Sequence, residues 1–427
     1  MTRFDHLPND IIREIAISFS LKDIVNLCAT NRRLNEIIWR DENFWHLKFL
    51  RDYHFTPQDY QGNWRQFYLT FNNNVWVCGD NSCGQLGLDD TQDRDDPTQI
   101  DKFKAKQIAA GDSHIIFIDL KNNLWACGDN DFGQLGLGDR LRRTVLTPIH
   151  GFKALKIATG LSHTAVIDLE NNVWVCGLNQ VGQLGLGHYI NQHNLIQIPN
   201  FKAQQVSAGN CYTIMIDMEN NVWGCGYNFF GQLGIGNNEN QNVLTQIPNI
   251  NLLGNLLGKA KQVAAGSNHT IILDLDNNVW ICGSNSAGQL GLRLRMGQHI
   301  NIPIKIDNFK AKEVLAGAMH SLFLDFDNHL WVCGWNRQGQ LGLGDECEYV
   351  YTPTKIPNFK AQQVSTAQYH TIFIDFDYNV WIFGIHYREI RDFDPKILTS
   401  PTQIPNLKAK KVFSGEANIF LMGAYFN

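Results

Sequence analysis

The chain has 427 residues, 44% hydrophobic and 18% charged, with a formal net charge of −5. Length and composition suit one large core with a small module beside it, and they exclude a disordered chain. The mildly acidic balance excludes a basic face for gripping nucleic acid, and no apolar run reaches the ~18 residues of a membrane span. The N-terminal Met1-Thr2-Arg3-Phe4-Asp5-His6 lacks the apolar stretch of a secretory signal.

The first predicted elements are helical. Leu7-Pro8-Asn9-Asp10-Ile11-Ile12-Arg13-Glu14-Ile15 places a proline at a helix start, followed by apolar residues at helical spacing. In Ser20-Leu21-Lys22-Asp23-Ile24-Val25-Asn26-Leu27-Cys28 the serine is positioned to cap a second helix. A third is expected near Asn31–Arg40, and Asp41-Glu42-Asn43-Phe44-Trp45 opens a fourth. Residues 51–65, with Tyr53, Phe55, Tyr60 and Trp64, are too aromatic for a free linker and are expected to pack this module on the C-terminal region.

Over residues 1–50, Leu-Pro, Ile-Ile-x-x-Ile, Asp-Ile-x-x-Leu-Cys and Phe-Trp-x-x-Leu, in this order and spacing, resemble an F-box. The resemblance implies docking on the adaptor subunit of a cullin–RING ubiquitin ligase. The residues it points to are Leu7, Pro8, Ile11, Ile12, Ile15, Leu27, Phe44 and Trp45. Leu7, Pro8, Ile11, Ile12 and Leu27 in particular would offer apolar surface to a groove on that partner. A module this small cannot bury all its apolar residues in its own interior.

From residue 66 to the end the sequence repeats. Trp76, Trp125, Trp174, Trp223, Trp280, Trp331 and Trp381 each precede a Cys-Gly or Phe-Gly step, at intervals of 49, 49, 49, 57, 51 and 50 residues. Each unit runs through a short apolar strand ending in Ala-Gly-x-x-His, a second ending in Asp, and Asn-Asn-Val-Trp-x-Cys-Gly. It continues with x-Asn-x-x-Gly-Gln-Leu-Gly and closes on Ile-Pro-Asn-Phe-Lys-Ala. Short β-branched runs, such as Ile115-Ile116-Phe117-Ile118, followed at once by Asn-Asn pairs predict hairpins. About fifty residues with four short strands is a propeller blade, which must stack on neighbours to bury its faces. The strand before Trp76 is missing, and Lys410-Lys411-Val412-Phe413-Ser414-Gly415 has no Trp hairpin after it. The two ends therefore complete one blade, giving a closed, mainly β, seven-bladed propeller over residues 66–427. Gly128-Asp129-Asn130-Asp131-Phe132-Gly133-Gln134-Leu135-Gly136 and Ala265-Gly266-Ser267-Asn268-His269-Thr270 resemble the regulator of chromosome condensation repeat.

The repeated polar residues have structural readings. His114, His163, His269, His320 and His370 fall one per blade and cannot converge on a tetrahedral ion, so hydrogen bonding within each blade is expected. Cys78, Cys127, Cys176, Cys225, Cys282 and Cys333 read as small core residues, with a reducing compartment implied. Asp119, Asp168, Asp217, Asp274, Asp325 and Asp375 are placed to satisfy turn amides. No phosphate loop, nucleophile elbow or zinc spacing appears, so no catalytic residue, metal or cofactor is expected.

Departures from the repeat carry the functional signal. Phe132, Tyr227, Phe229, Phe230 and Trp335 put aromatics into a turn that should be exposed, where they either bind a partner or pack between blades. The long fourth interval carries Leu252, Leu253, Leu256 and Leu257 in an apolar insertion, and Arg293 and Arg295 replace a Gly-rich loop. Gly-Gln-Leu-Gly is lost after Ile385.

The expected function is a substrate receptor of an SCF-type ligase, its helices on the adaptor and its propeller holding a target protein. The alternative is an exchange factor for, or partner of, a Ran-class small GTPase. Either places the chain in the cytoplasm or nucleus of a eukaryotic cell. Asn-, Ile- and Lys-rich usage with near-identical repeats suggests an AT-biased genome, and a bacterial or protozoan source would make that cell a host.

Overall fold

The computed structural model describes residues 7–53, 63–65, 68, 73–248, 258–294, 297–344, 347–385 and 397–426. Four helical segments come first. Helix α1 (Asn9–Ala16) starts after Pro8, and α2 (Leu21–Thr30) is capped by Ser20, whose hydroxyl oxygen accepts from the Asp23 amide at 3.3 Å. The short α3 (Arg32–Leu34), capped by Asn31, continues as a π turn over Asn35–Trp39. Helix α4 (Glu42–Tyr53) follows Asp41, whose carboxylate accepts from the Asn43 amide at 3.0 Å. Ile12, Ile24, Ile38, Phe44, Trp45 and Phe49 form the module's own core, with Trp64 and Tyr68 packed into it.

The rest is β. Strand pairing sorts into seven four-stranded antiparallel units, one around each repeated tryptophan. We number these blades 1 to 7 in that order. Strands Arg94–Ala110, Arg143–Thr159, Gln192–Ala208 and Ile397–Ser414 each serve two blades, first as the outer strand of one and then as the inner strand of the next. The crossover falls at the Ile-Pro-Asn-Phe-Lys stretch, where Asn200 and Asn406 take φ of 56° and 59°, as asparagine does most readily after glycine.

Closure is visible in the register. Val75 of the first Trp strand pairs with Met422, Val77 with Phe420 and Gly79 with Asn418. Blade 1 thus takes its inner two strands from the C-terminal end and its outer two from residues 74 onward. The ends of all seven inner strands line one central cavity of about 140 Å³, with Gly111, Gly160, Gly209, Gly266, Gly317, Ala367 and Gly415 each one residue past its strand.

The core lies between blades. Ile116, Ile118 and Leu124 of blade 2 pack with Val166 of blade 3, and Val75 of blade 1 packs with Ile115 and Phe117 of blade 2. Polar residues stitch the same seams. The Thr164 hydroxyl donates to the Gln134 carbonyl at 2.7 Å, so it accepts from His114 Nε2 at 3.0 Å. His163 with Thr213 (2.9 Å) and His269 with Ser321 (3.0 Å) repeat the arrangement one blade on. The Cys127 thiol donates to the Gln85 carbonyl at 3.2 Å, across the seam between blades 2 and 1. The expectation of bonding within each blade is therefore corrected. These histidines fasten neighbouring blades, because a side chain at the start of the second strand points sideways into the next blade's strand. All ten cysteines are free thiols.

Candidate functional site

Each blade's aspartate accepts several bonds. Asp168 takes the amides of Glu170 and Asn172 at 2.8 and 2.9 Å, the Asn172 side chain at 2.9 Å and the Trp174 indole at 2.9 Å. Burial pushes its pKa up, but these donors outweigh it and the net shift is downward. The turn-capping role was legible in sequence, whereas the indole bond was not. One group of possible metal ligands occurs among the described residues: Asp325, Asp327 and His329. His329 stands where other blades have asparagine and makes the same bond, its Nδ1 lying 3.1 Å from Asp325 Oδ2. It reads as the turn's own side-chain donor.

The helical module offers a different surface. Pro8 is exposed, and Ile11 and Ile15 are 41% and 36% exposed, so residues 8, 11 and 15 mark one stripe along α1. Leu7 and Leu27 are half-buried. Ile12, Phe44 and Trp45 are at most 1% exposed, which corrects their reading as adaptor-facing. They fill the module's interior, where Trp45 also donates its indole N–H to the Trp39 carbonyl at 3.1 Å. Val25 and Leu47, 41% and 53% exposed, were missed by the sequence reading. Exposure of one apolar residue on a short amphipathic helix cannot be told from its spacing alone.

The module meets the ring at the end of α4. Asp52 accepts from Lys48 Nζ at 2.6 Å and from the Tyr68 hydroxyl at 2.5 Å, and its carbonyl accepts from the Tyr378 hydroxyl at 3.3 Å. Tyr378 occupies the left-handed turn position (φ 63°) that asparagine holds at 122, 171, 220, 277 and 328. Burial holds the Lys410 ammonium below its ordinary pKa, against the opposing pull of Asp52. Of the connector's aromatics, Trp64 stacks on His46 at 4.1 Å, the Tyr53 side chain is not described, and Phe55 and Tyr60 lie outside the described residues.

On the opposite face stand the loops between the third and fourth strands of each blade. Phe229 is 62% exposed, while Phe132, Tyr227, Phe230 and Trp335 are half-buried. Tyr227, Phe229 and Phe230 form one cluster with centroids 5.2–6.4 Å apart, joined by His299 at 4.8 Å from Phe230. Trp335 packs instead on Tyr369 of blade 7 at 6.0 Å, and Phe132 sits two blades from the cluster. Arg293 is exposed. Leu252, Leu253, Leu256, Leu257 and Arg295, and the stretch 386–391, lie outside the described residues. The opposition of the two faces comes from antiparallel order: Tyr378 lies in a turn between second and third strands, at the other end of the blade.

An antiparallel ring with these turn and loop motifs defines a class, the RCC1-like propellers. A family model described as "RCC1-like domain" matches residues 144–423, and the RCC1 repeat matches 72–118 and 105–134. The chain belongs to this family, and residues 4–46 match the F-box domain. It is 37% identical over 93 residues to the ultraviolet-B receptor UVR8 of Arabidopsis thaliana, covering 21% of each chain. It is 32% identical over 91 residues to an RCC1-like G exchanging factor-like protein of Mus musculus, 20% of each. These matches span about a fifth of the relatives' length. Yeast RCC1 (Prp20), solved with Kap60, superposes with a TM-score of 0.72 at 20% identity, over 83% of this chain and 90% of that one. That likeness is one of fold. Among the described residues no helix is long and apolar enough to cross a membrane.

Proposed function

We propose that the chain is a substrate receptor of a cullin–RING ubiquitin ligase, docking on the adaptor through its F-box and holding a target protein on its propeller. The observation that carries this is the apolar stripe Pro8, Ile11 and Ile15, exposed on a module whose other end is fastened to the ring through Asp52 and Tyr378. Chemistry would come from other subunits, with the receptor raising the target's effective concentration at the transfer site. The exposed stripe suits a groove-binding helix, read at positions i, i+3 and i+7. Adaptor and target would then use opposite ends of the blades, so neither blocks the other.

The test is co-elution of the full chain with the adaptor. The Ile11→Glu/Ile15→Glu double variant is expected to abolish the complex while the melting temperature stays within about 2 °C, since surface changes are nearly neutral to stability. An undiminished complex would overturn the reading.

A second reading, exchange on a Ran-class GTPase, is favoured by the fold likeness to yeast RCC1 and the match to the mouse protein. It requires tighter binding to the nucleotide-free GTPase than to the loaded one. Nucleotide release from Ran is the measurement, and no acceleration at micromolar chain would end it.

A further inference from the structure

Between blades 5 and 6, on the loop face, lies a cavity of about 710 Å³, bounded by Arg293, Leu294, Leu343, Cys347, Tyr349 and Tyr351 among others. A local departure from the repeat borders it. In blades 2, 3, 4 and 6 the loop after Gly-Gln-Leu-Gly places glycine at a left-handed position, Gly138, Gly187, Gly236 and Gly344, with φ of 81–88°, and blade 1 places Asp89 there with φ 67°. In blades 2, 3 and 4 the side chain of the next residue, Asp139, His188 or Asn237, ties the loop down by accepting from the Asn130, Asn179 or Asn228 side-chain amide. Blade 5 has Arg293 at the glycine position (φ 52°), and Leu294 has no side-chain acceptor to offer. A non-glycine residue in this conformation is strained, and such strain concentrates at binding sites.

The cavity runs along residues 349–354 of Tyr349–Lys360, the terminal strand of its sheet, a span of about 17–20 Å at the usual strand rise. The Arg293 amide already donates to the Tyr351 carbonyl at 3.2 Å, so the edge is partly taken by the loop, and it is the length of the cavity that suits an extended segment better than a compact ligand. Charge selects further. The other described arginine side chains on this face are engaged: Arg94 with Asp90, Arg142 with Asp129 and Asp131, Arg143 with Asp139, Arg337 with Glu348, and Arg140 with the Asp131 carbonyl. The Arg293 side chain is exposed and has no partner among the described residues. A guanidinium beside an apolar floor fits a carboxylate next to an aliphatic or aromatic side chain.

We propose that this cavity takes an extended acidic–apolar segment of a partner protein, with Arg293 pairing its carboxylate. Within the ligase reading, on which the proposal rests, this segment is the target's recognition element.

The test uses the intact chain and a randomised eight-residue peptide library displayed on phage. Enriched peptides are expected to place Asp or Glu beside Leu, Ile, Phe or Tyr. The best of these, fluorescently labelled, is titrated against wild type, Arg293→Gly, and the Arg293→Gly/Leu294→Asp double variant that restores the Gly-Asp of blade 2. Arg293→Gly uses a residue the repeat already carries, so its melting temperature should hold or rise, and the double variant, which gives up the packing of Leu294 on the blade 5 core, is compared at a temperature below its own melting transition. Affinity should fall about tenfold in each, and a Glu→Lys peptide should bind wild type equally poorly. Enrichment without acidic residues, no enrichment, or variant affinities within twofold of wild type would overturn the proposal. Self-association lost on Arg293→Gly would assign the cavity to a second copy and overturn it too. Adaptor capture is scored on the same proteins. Peptide binding without adaptor binding would sink the ligase reading and leave the cavity assignment intact.

Discussion

At the scale of single residues, the repeated aspartates carry more than a turn preference. Asp168 gathers two amides, a side-chain amide and an indole from two to six residues further along, fixing both the turn and the tryptophan beyond it. Removing an acceptor of this kind strands several donors, each hydrogen bond to a charged group being worth about 1.5–3 kcal/mol. Asp168→Ala is therefore expected to lower stability by about 3 kcal/mol, read as a shift in the urea midpoint. Asp168→Asn should recover part of that. The acceptor and its turn were legible in the motif because both are local. The indole bond escaped because it depends on the Trp174 rotamer, which is set by Phe152 packing edge-on at 5.1 Å.

Among elements, Tyr378 makes the joint between the helices and the ring. It accepts a left-handed backbone that asparagine would adopt more cheaply, and in return it reaches Asp52 and packs against both cores. Tyr378→Asn should leave the ring's own melting transition unchanged or raise it by about 1 °C. It should also release the helices, read as faster proteolysis between residues 53 and 73. If the cleavage rate does not change, the contact at Asp52 is not what holds the module. The F-box was legible from motif order, yet its buried and exposed members were not separable. Ile11 and Ile12 are adjacent in sequence and alike in chemistry, and only the packing of α1 sends one inward.

For the whole molecule, closure and acid stability are linked through the seams. Strand Asn418–Phe426 pairs on both sides, so a chain ending at residue 416 loses the second strand of blade 1 and leaves two open edges. It is expected to be recovered as aggregate, read by sedimentation. Burial drives the histidine pKa values down, to about 3 for His114 and His320 and about 4 for His163 and His269. The unfolded chain, with imidazoles near 6.5, binds more protons between those values. Stability is therefore full above about pH 6.5 and falls as the pH drops below it, by on the order of 2 kcal/mol per histidine at pH 5. The His163→Gln variant should show a shallower loss between pH 7 and 5 in the urea midpoint than wild type.

The repeat, the number of blades, the blade shared by the two ends and the F-box could all be read from the sequence. Each is written in local pattern and counting, and a repeat that cannot bury its faces alone leaves little choice of architecture. The contacts between units came from packing in three dimensions: the histidines join neighbouring blades, Tyr378 reaches the helices, and Arg293 borders a cavity between two blades. Those contacts link residues tens to hundreds of positions apart, where side-chain direction and packing, rather than spacing along the chain, set the partner.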